Sequence, residues 1–509
     1  MAREHSLSPL KILILAFLAQ IAGHMLLRAY MPNVAIGGLG FLLVVMILGY
    51  VLFVARDAFG FILVVYICSH FSYADNQGGL WNLVTFGLLA IYLVVNPHKE
   101  GFRRPDYLMI VLLAVFIMWN IAGWGTKNPM SLITRFEGVA AFFGFILMFN
   151  LSRNMVITKE RMRTFLILTF WMLIYQFVVA LNQRYYLVDW NTPLIGAYTE
   201  AGTAITYGTT RSSGTLRHFE LFGEYAVLLT CLFIPLLSSS STQRDLRFSS
   251  NRIIIMIFIC LAIVMLTSTR AAAILAVFVI ASWYLVLSLR IFPAIDRIGR
   301  QLRIILAVAV LLPVAGIYVG LGTLEEDFAD LANTKFTIGT IASGKAINRG
   351  ELTSMALKRM DQESWWVGYG LGVPHSNNWA WMGVDPARTE GGISDFHSLY
   401  LCLPMIYGWI GTIAFLVMIL VTLFRLCGVS LRYRRRRDYL IVLAAGFSLF
   451  WVVFLIDEFK ISILRNPNYH MLFWIWLGLS NSIVRTLRYH REPEQPPEQA
   501  VNTKVAGAI

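Results

Sequence analysis

The sequence predicts an all-α, polytopic integral membrane protein of about 12 to 14 transmembrane helices. Three observations predict it. The 509 residues are 57% hydrophobic and only 14% charged, where a water-soluble chain carries charge on about a quarter of its residues. Apolar runs of about 17 to 25 residues, the length that crosses a bilayer as a helix, recur along the whole chain. Arginine and lysine fall in alternate gaps between those runs, as the positive-inside rule requires.

The spans are read in order near 10–28, 34–55, 58–74, 80–96, 107–123, 131–150, 164–181, 219–237, 253–268, 272–288, 304–321, 398–424, 439–456 and 470–486. The first run, Leu10 to Leu27, lacks a small-residue cleavage site and is expected to be a retained span, not a signal peptide. With the N-terminus inside, each gap on that side is basic. These gaps hold Lys99, Arg103 and Arg104, then Arg153 to Arg163, then Arg244 to Arg252, then Arg290 to Arg303. The block RYRRRR (432–437) and the tail residues Arg488 and Arg491 follow on the same side. Both termini are therefore expected in the cytoplasm. Two long segments fall outside, 182–218 and 322–397, and the second is too long for a simple connector.

The formal net charge of +13 belongs to those cytoplasmic loops and to anionic lipid, so no nucleic-acid partner is expected. The five cysteines are scattered with no metal or disulfide spacing. No metal and no cofactor are expected. The tail 491–509 reads as a flexible cytoplasmic end.

The topology places three chemically distinctive residues on the outer rim. Arg211 precedes span eight, Arg270 sits in the tight turn between spans nine and ten, and His397 opens the helix at 398–424. Arg270 interrupts a long apolar stretch, and an arginine at membrane depth marks a site or a snorkelling interfacial anchor. Taken together the three suit one chemistry. Guanidinium groups bind phosphate oxygens through two parallel hydrogen bonds and keep their charge. A neutral histidine can take a proton from a sugar hydroxyl. Gly408 and Gly411, about three and four turns after His397, are expected on the same helix face, where a neighbouring helix could approach closely.

His397-Ser398, nine residues, Gly408, two residues and Gly411 match the histidine motif of the O-antigen ligases. STRAAAIL around Arg270, RSSGTLRHFELFGEY after position 210, and GYGLGVPHSNN (368–378) are similar to further segments of that family. The chain thus resembles the O-antigen ligase and polymerase superfamily over roughly 205–425. Ile274 stands where the ligase pattern has leucine. The resemblance implies an inner-membrane enzyme of the C-type fold with a periplasmic site, so that 322–397 becomes a large periplasmic loop before the histidine helix. It implies a metal-independent glycosyltransferase. The donor would be an undecaprenyl-diphosphate-linked glycan, and the acceptor lipid A-core or a second lipid-linked glycan. Membrane lipids and other polysaccharide-assembly membrane proteins are the further expected partners. Arg211 and Arg270 would hold the diphosphate, and His397 would activate the acceptor hydroxyl.

Further residues are candidates for substrate binding. Arg217 is a third phosphate contact or an interfacial anchor. Glu220 and Glu224, one turn apart, pair with those arginines or contact sugar. His375 and Asp395 contact sugar or orient His397. The domain reading follows: N-terminal helices over 1–204, the ligase-related core over 205–425, C-terminal helices over 426–490, then the tail. Ligase and polymerase need the same donor site and both stay open here. A lipid-linked oligosaccharide flippase is the alternative of another class. It would spread its charges through the membrane depth and show repeated halves.

Overall fold

The computed structural model describes residues 7–27, 34–71, 75–95, 105–126, 132–185, 212–216, 219–267, 269–292, 366–368, 370, 398–459 and 467–489. Among the described residues every regular element is a helix. Hydrocarbon offers backbone groups no hydrogen-bond partners, so an apolar span closes its bonds within itself.

In chain order the helices are α1 (Pro9–Leu27), α2 (Val34–Gly49), α3 (Ala58–Cys68), α4 (Asp75–Val95), α5 (Tyr107–Thr126), α6 (Leu132–Asn154) and α7 (Lys159–Tyr185). Then come α8 (Phe219–Leu237), the short α9 (Ser240–Asp245), α10 (Ser250–Thr267), α11 (Arg270–Ser288), α12 (Leu399–Arg432), α13 (Tyr439–Asp457) and α14 (Pro467–Tyr489). A π-helical turn, Tyr50–Val54, extends α2. Seven described helices are long and apolar enough to cross a membrane, and the apolar stretches of α1 to α4 are shorter. The expected span at 304–321 lies outside the described residues. The span expected at 398–424 is longer, since α12 runs 34 residues to Arg432.

Polar residues start helices where the chain leaves an apolar span. The Asp57 side chain accepts from Gly60 N at 2.8 Å and so caps α3, and it also accepts from Leu7 N at 2.8 Å. The Asp438 carboxylate caps α13 by accepting from Leu440 N at 2.9 Å. Helix α8 sits at the centre: every residue from Leu221 to Leu237 is buried. It packs against α10, α11 and α13, while α12 packs on α5 and α14 on α6. On the outside, large apolar side chains such as Val94, Ile274 and Phe424 are more than two-thirds exposed. Lipid, not water, suits such a surface.

The helix ends sort by charge. At one end Lys159 pairs with Asp245 at 2.8 Å, Arg425 with Asp106 at 2.5 Å, and Tyr439 Oη donates to Ile157 O at 3.0 Å. Arg434 to Arg437, just after α12, are exposed at the same end. The starts of α8, α11, α12 and α14 lie at the opposite end, as an alternating bundle requires.

Candidate functional site

The opposite end is organised around the small polar loop Ser212-Ser213-Gly214-Thr215. Gly214 has φ +56°, and a Cβ there would lie 2.4 Å from Gln176 Oε1. Only glycine fits this left-handed backbone and this gap. Two glutamines of α7 hold the loop. Gln183 Oε1 accepts from Ser213 N at 3.0 Å and Gly214 N at 2.9 Å, and Gln183 Nε2 donates to Gly214 O at 2.8 Å. Gln176 Oε1 accepts from Thr215 N at 2.9 Å, and its Nε2 donates to Thr215 Oγ1. The Thr215 hydroxyl donates to His70 O at 2.5 Å, and Ser212 Oγ donates to Ala180 O at 2.8 Å.

His70 ends this network in the core. Its Nδ1 lies 2.7 Å from Tyr66 O. A carbonyl only accepts, so Nδ1 carries the proton and Nε2 accepts from Tyr225 Oη at 2.7 Å. The neutral ring thereby ties the end of α3 to α8.

The same loop reaches the turn before α11. Ser212 N donates to Leu266 O at 3.2 Å, and α10 ends at Thr267 with α11 starting at Arg270. Close packing keeps α8 against that turn, because a Cβ on Gly223 would sit 3.1 Å from both Thr267 Oγ1 and Ala272 Cβ. Ser212, the first residue of the loop, is therefore held beside the turn that leads into α11. Arg270 opens that helix, as the sequence predicts for a tight outer turn.

The third piece is the start of α12. Ser398, buried and extended, precedes it, and Leu399 N donates to Glu458 O at 3.0 Å. Tyr400 Oη donates to Leu455 O at 2.6 Å, and its ring lies 4.3 Å from that of Phe459. The first turns of α12 are therefore fixed to the end of α13. Helix axes starting at α8, α11 and α12 each place roughly half a positive charge at this end. Oriented N–H groups there favour an anionic group.

The helix-phase expectation for the glycines needs correction. Gly408 has φ 67° and ψ 168° and interrupts α12, so it does not continue the turn count from His397. Its neighbour is the turn and bend at 366–368, not a helix. A Cβ on Gly408 would lie 2.5 Å from Trp366 O, and one on Gly368 2.3 Å from Gly408 N. Gly370 N donates to Ile406 O at 2.7 Å, and a Cβ on Gly370 would meet Trp124 N at 2.1 Å. Gly368 and Gly370 are thus threaded between the end of α5 and the break in α12. Gly411 does meet a helix, α5, near Trp119 and Asn120.

Of the predicted site residues, Arg211, Arg217, His375, Asp395 and His397 lie outside the described residues. Arg270 is placed by its backbone at the head of α11. Glu220 is half-buried in the first turn of α8, and Glu224, one turn on, is fully buried. Glu224, Asp457 and Glu458 all bear electrostatically on Tyr469 of α14, so these carboxyls gather at the same end. Sequence reasoning missed Gln176, Gln183 and His70. A polar side chain inside an apolar span was their signal.

Residues 255–416 match the O-antigen ligase family model. The matched stretch, about a third of the chain, is similar to that family. It runs from α10 past the break in α12, and it contains Arg270 and His397. The family resemblance of the histidine motif and the STRAAAIL segment is thereby supported by an independent comparison. No curated protein matches the chain. The O-antigen ligase region supplies two of the three pieces assembled at the end opposite the basic loops, and the loop after Arg211 supplies the third.

Proposed function

We propose that the chain is a membrane glycosyltransferase of the O-antigen ligase type. It moves a glycan from undecaprenyl diphosphate to an acceptor hydroxyl at the membrane face opposite its arginine-rich ends. The observation that carries this is one juxtaposition. The fold brings the residue after Arg211 to Leu266, beside the helix that Arg270 opens, and the family match covers both Arg270 and His397.

In this reading the face is periplasmic, the membrane is the bacterial inner membrane, and both termini are cytoplasmic. Arg211 and Arg270 hold the two phosphates of the donor, with Arg217 alongside. His397 takes the proton of the acceptor hydroxyl. The acceptor oxygen bonds to the anomeric carbon as the bond from that carbon to the diphosphate breaks, with inversion. Undecaprenyl diphosphate leaves with the electron pair, toward the guanidinium groups. Glu220, Glu224, His375 and Asp395 are assigned to the sugars and to the orientation of the arginines and His397. The acceptor is lipid A-core in a ligase and a second lipid-linked glycan in a polymerase.

The test is complementation of a strain lacking the gene, with surface glycan resolved by size and lipid A-core examined separately. Wild type restores long chains, and His397→Ala loses product by about 10²- to 10⁴-fold at normal protein level. Arg270→Lys also fails, because a point charge does not replace a two-pronged phosphate contact. Bare core with long lipid-linked chains identifies a ligase, and core bearing single repeats a polymerase. Full restoration by His397→Ala overturns the reading and favours a flippase.

A further inference from the structure

The basic end of the bundle holds a group of charges that glycan transfer does not use. Arg153 of α6, Arg425 of α12 and Arg485 of α14 come from three helices, and Asp106 stands just before α5. Asp106 is already engaged: it accepts from Arg425 Nη1 at 2.5 Å and Nη2 at 3.1 Å. Arg485 Nη1 donates to Asn154 Oδ1 at 2.5 Å and to Arg153 O at 3.4 Å. Arg153 Nε donates to Asn150 Oδ1 at 3.0 Å. Its Nη1 is enclosed and has no hydrogen-bond partner.

Arg153 is 6% exposed and Arg485 5%. Arg153 interacts electrostatically with Asp106, Arg485 and Arg425 together. Arg153 and Arg425, two cations that keep their protons, thus both lean on the carboxylate of Asp106. Enclosing a guanidinium with an unused N–H is strongly unfavourable unless a counter-charge completes it. Topology alone does not explain the arrangement. Exposed arginines such as Arg434 and Arg435 already mark this side, whereas Arg153 and Arg485 lie inside helices and are buried.

We propose that this arginine cluster is a binding site for the phosphate of an anionic phospholipid in the adjoining leaflet. Phosphate oxygens accept the two-pronged bonds that guanidinium groups offer. A basic cluster between helix ends is the setting in which anionic headgroups bind. The headgroup enters where the side chains of Arg425 and Asp106 keep 20% and 12% of their surface. Its phosphate supplies the missing acceptor to Arg153. The site is independent of the transfer reaction, which uses the other end of the molecule.

Native mass spectrometry of the purified protein tests this, with phosphatidylglycerol compared against phosphatidylcholine of the same chains. Wild type retains phosphatidylglycerol in preference. Arg153→Gln lowers that retention about tenfold, while Arg247→Gln, an exposed arginine at the same end, leaves it unchanged. Asp106→Asn tightens it, because the competing carboxylate charge is gone, and this variant decides the matter where Arg153→Gln does not fold. Inorganic phosphate that binds wild type without any phosphatidylglycerol retention keeps the anion site and assigns it to a soluble source. Equal retention of the two lipids with no phosphate binding overturns the proposal. Undiminished phosphatidylglycerol retention in Arg153→Gln does so as well.

Discussion

Gln183 shows how much of a site can rest on a residue with no chemistry of its own. Its amide closes three hydrogen bonds onto Ser213 and Gly214, and the loop it holds follows Arg211 directly. Gln183→Ala leaves those backbone groups without their partner. The expected result is a fall in transfer of about tenfold or more, read mainly as a raised KM for the lipid-linked donor, because misplacement by about 1 Å is costly at a reacting centre. An unchanged donor KM at normal protein level would show that the loop finds its position without the glutamine. Asp106 gives a residue-scale prediction at the other end. Burial pushes its carboxyl up, but the hydrogen bonds and charge of Arg425 outweigh that and hold it below its ordinary value of 3.8. A depressed carboxylate stabilises the fold above its unfolded pKa, and that stabilisation is lost as pH falls through the lower, folded pKa. The melting midpoint of wild type in detergent should therefore drop as pH falls below about 3.8. Asp106→Asn should lower stability at pH 7 by about 2 kcal/mol, between exposed and fully buried pairs, seen as a lower midpoint, and remove this part of the acid dependence. Of His397, Arg211 and Arg270, which residue type and spacing single out, Arg270 lies among the described residues, and its place at the head of α11 was legible. Gln176, Gln183 and His70 were not, because the partners that define their roles stand 30 to 155 residues away in sequence, and a single polar side chain in a span does not say what it will meet.

At the scale of elements, α12 shows where periodicity misleads. Its apolar pattern runs unbroken across Gly408, so a turn count treats it as one straight helix. The backbone at φ 67° breaks it there, because the backbone of Trp366, Val367 and Gly368 occupies the place a side chain would take. The start of α12 is thus oriented by α13 through Tyr400 and Glu458, and its remainder by α5. Gly408→Ala should cost about 2 kcal/mol or more, from the left-handed backbone and from the contact with Trp366 O. A thermal melt in detergent reads this, with Gly428→Ala as the comparison, since a Cβ there meets nothing within 4 Å. Equal midpoints for the two variants would mean that the break in α12 is relaxed and needs no glycine. The turn between α10 and α11 was legible at this scale, because a charged residue between two apolar runs permits little else.

At the scale of the whole molecule, charge divides the bundle into two ends. One end gathers Lys159, Arg153, Arg425, Arg485 and the exposed Arg434 turn. The other gathers the Ser212–Thr215 loop and the starts of α8, α11 and α12. The alternation of basic loops made this division legible from sequence, since it depends on where each loop lies and not on any contact. Which helices neighbour which was not legible, because apolar faces of similar composition carry no address. The division has a direct check in a cysteine-free background. Trp366, beside the break in α12, is 64% exposed, so Trp366→Cys should react with a membrane-impermeant thiol reagent in spheroplasts. Arg434→Cys, in the exposed turn after α12, should react only after the membrane is permeabilised. The reverse order of labelling would invert the orientation and move the start of α12 into the cytoplasm. No undecaprenyl-diphosphate-linked glycan awaits transfer there in the proposed reaction, so that result would remove the donor from the site as well as the side.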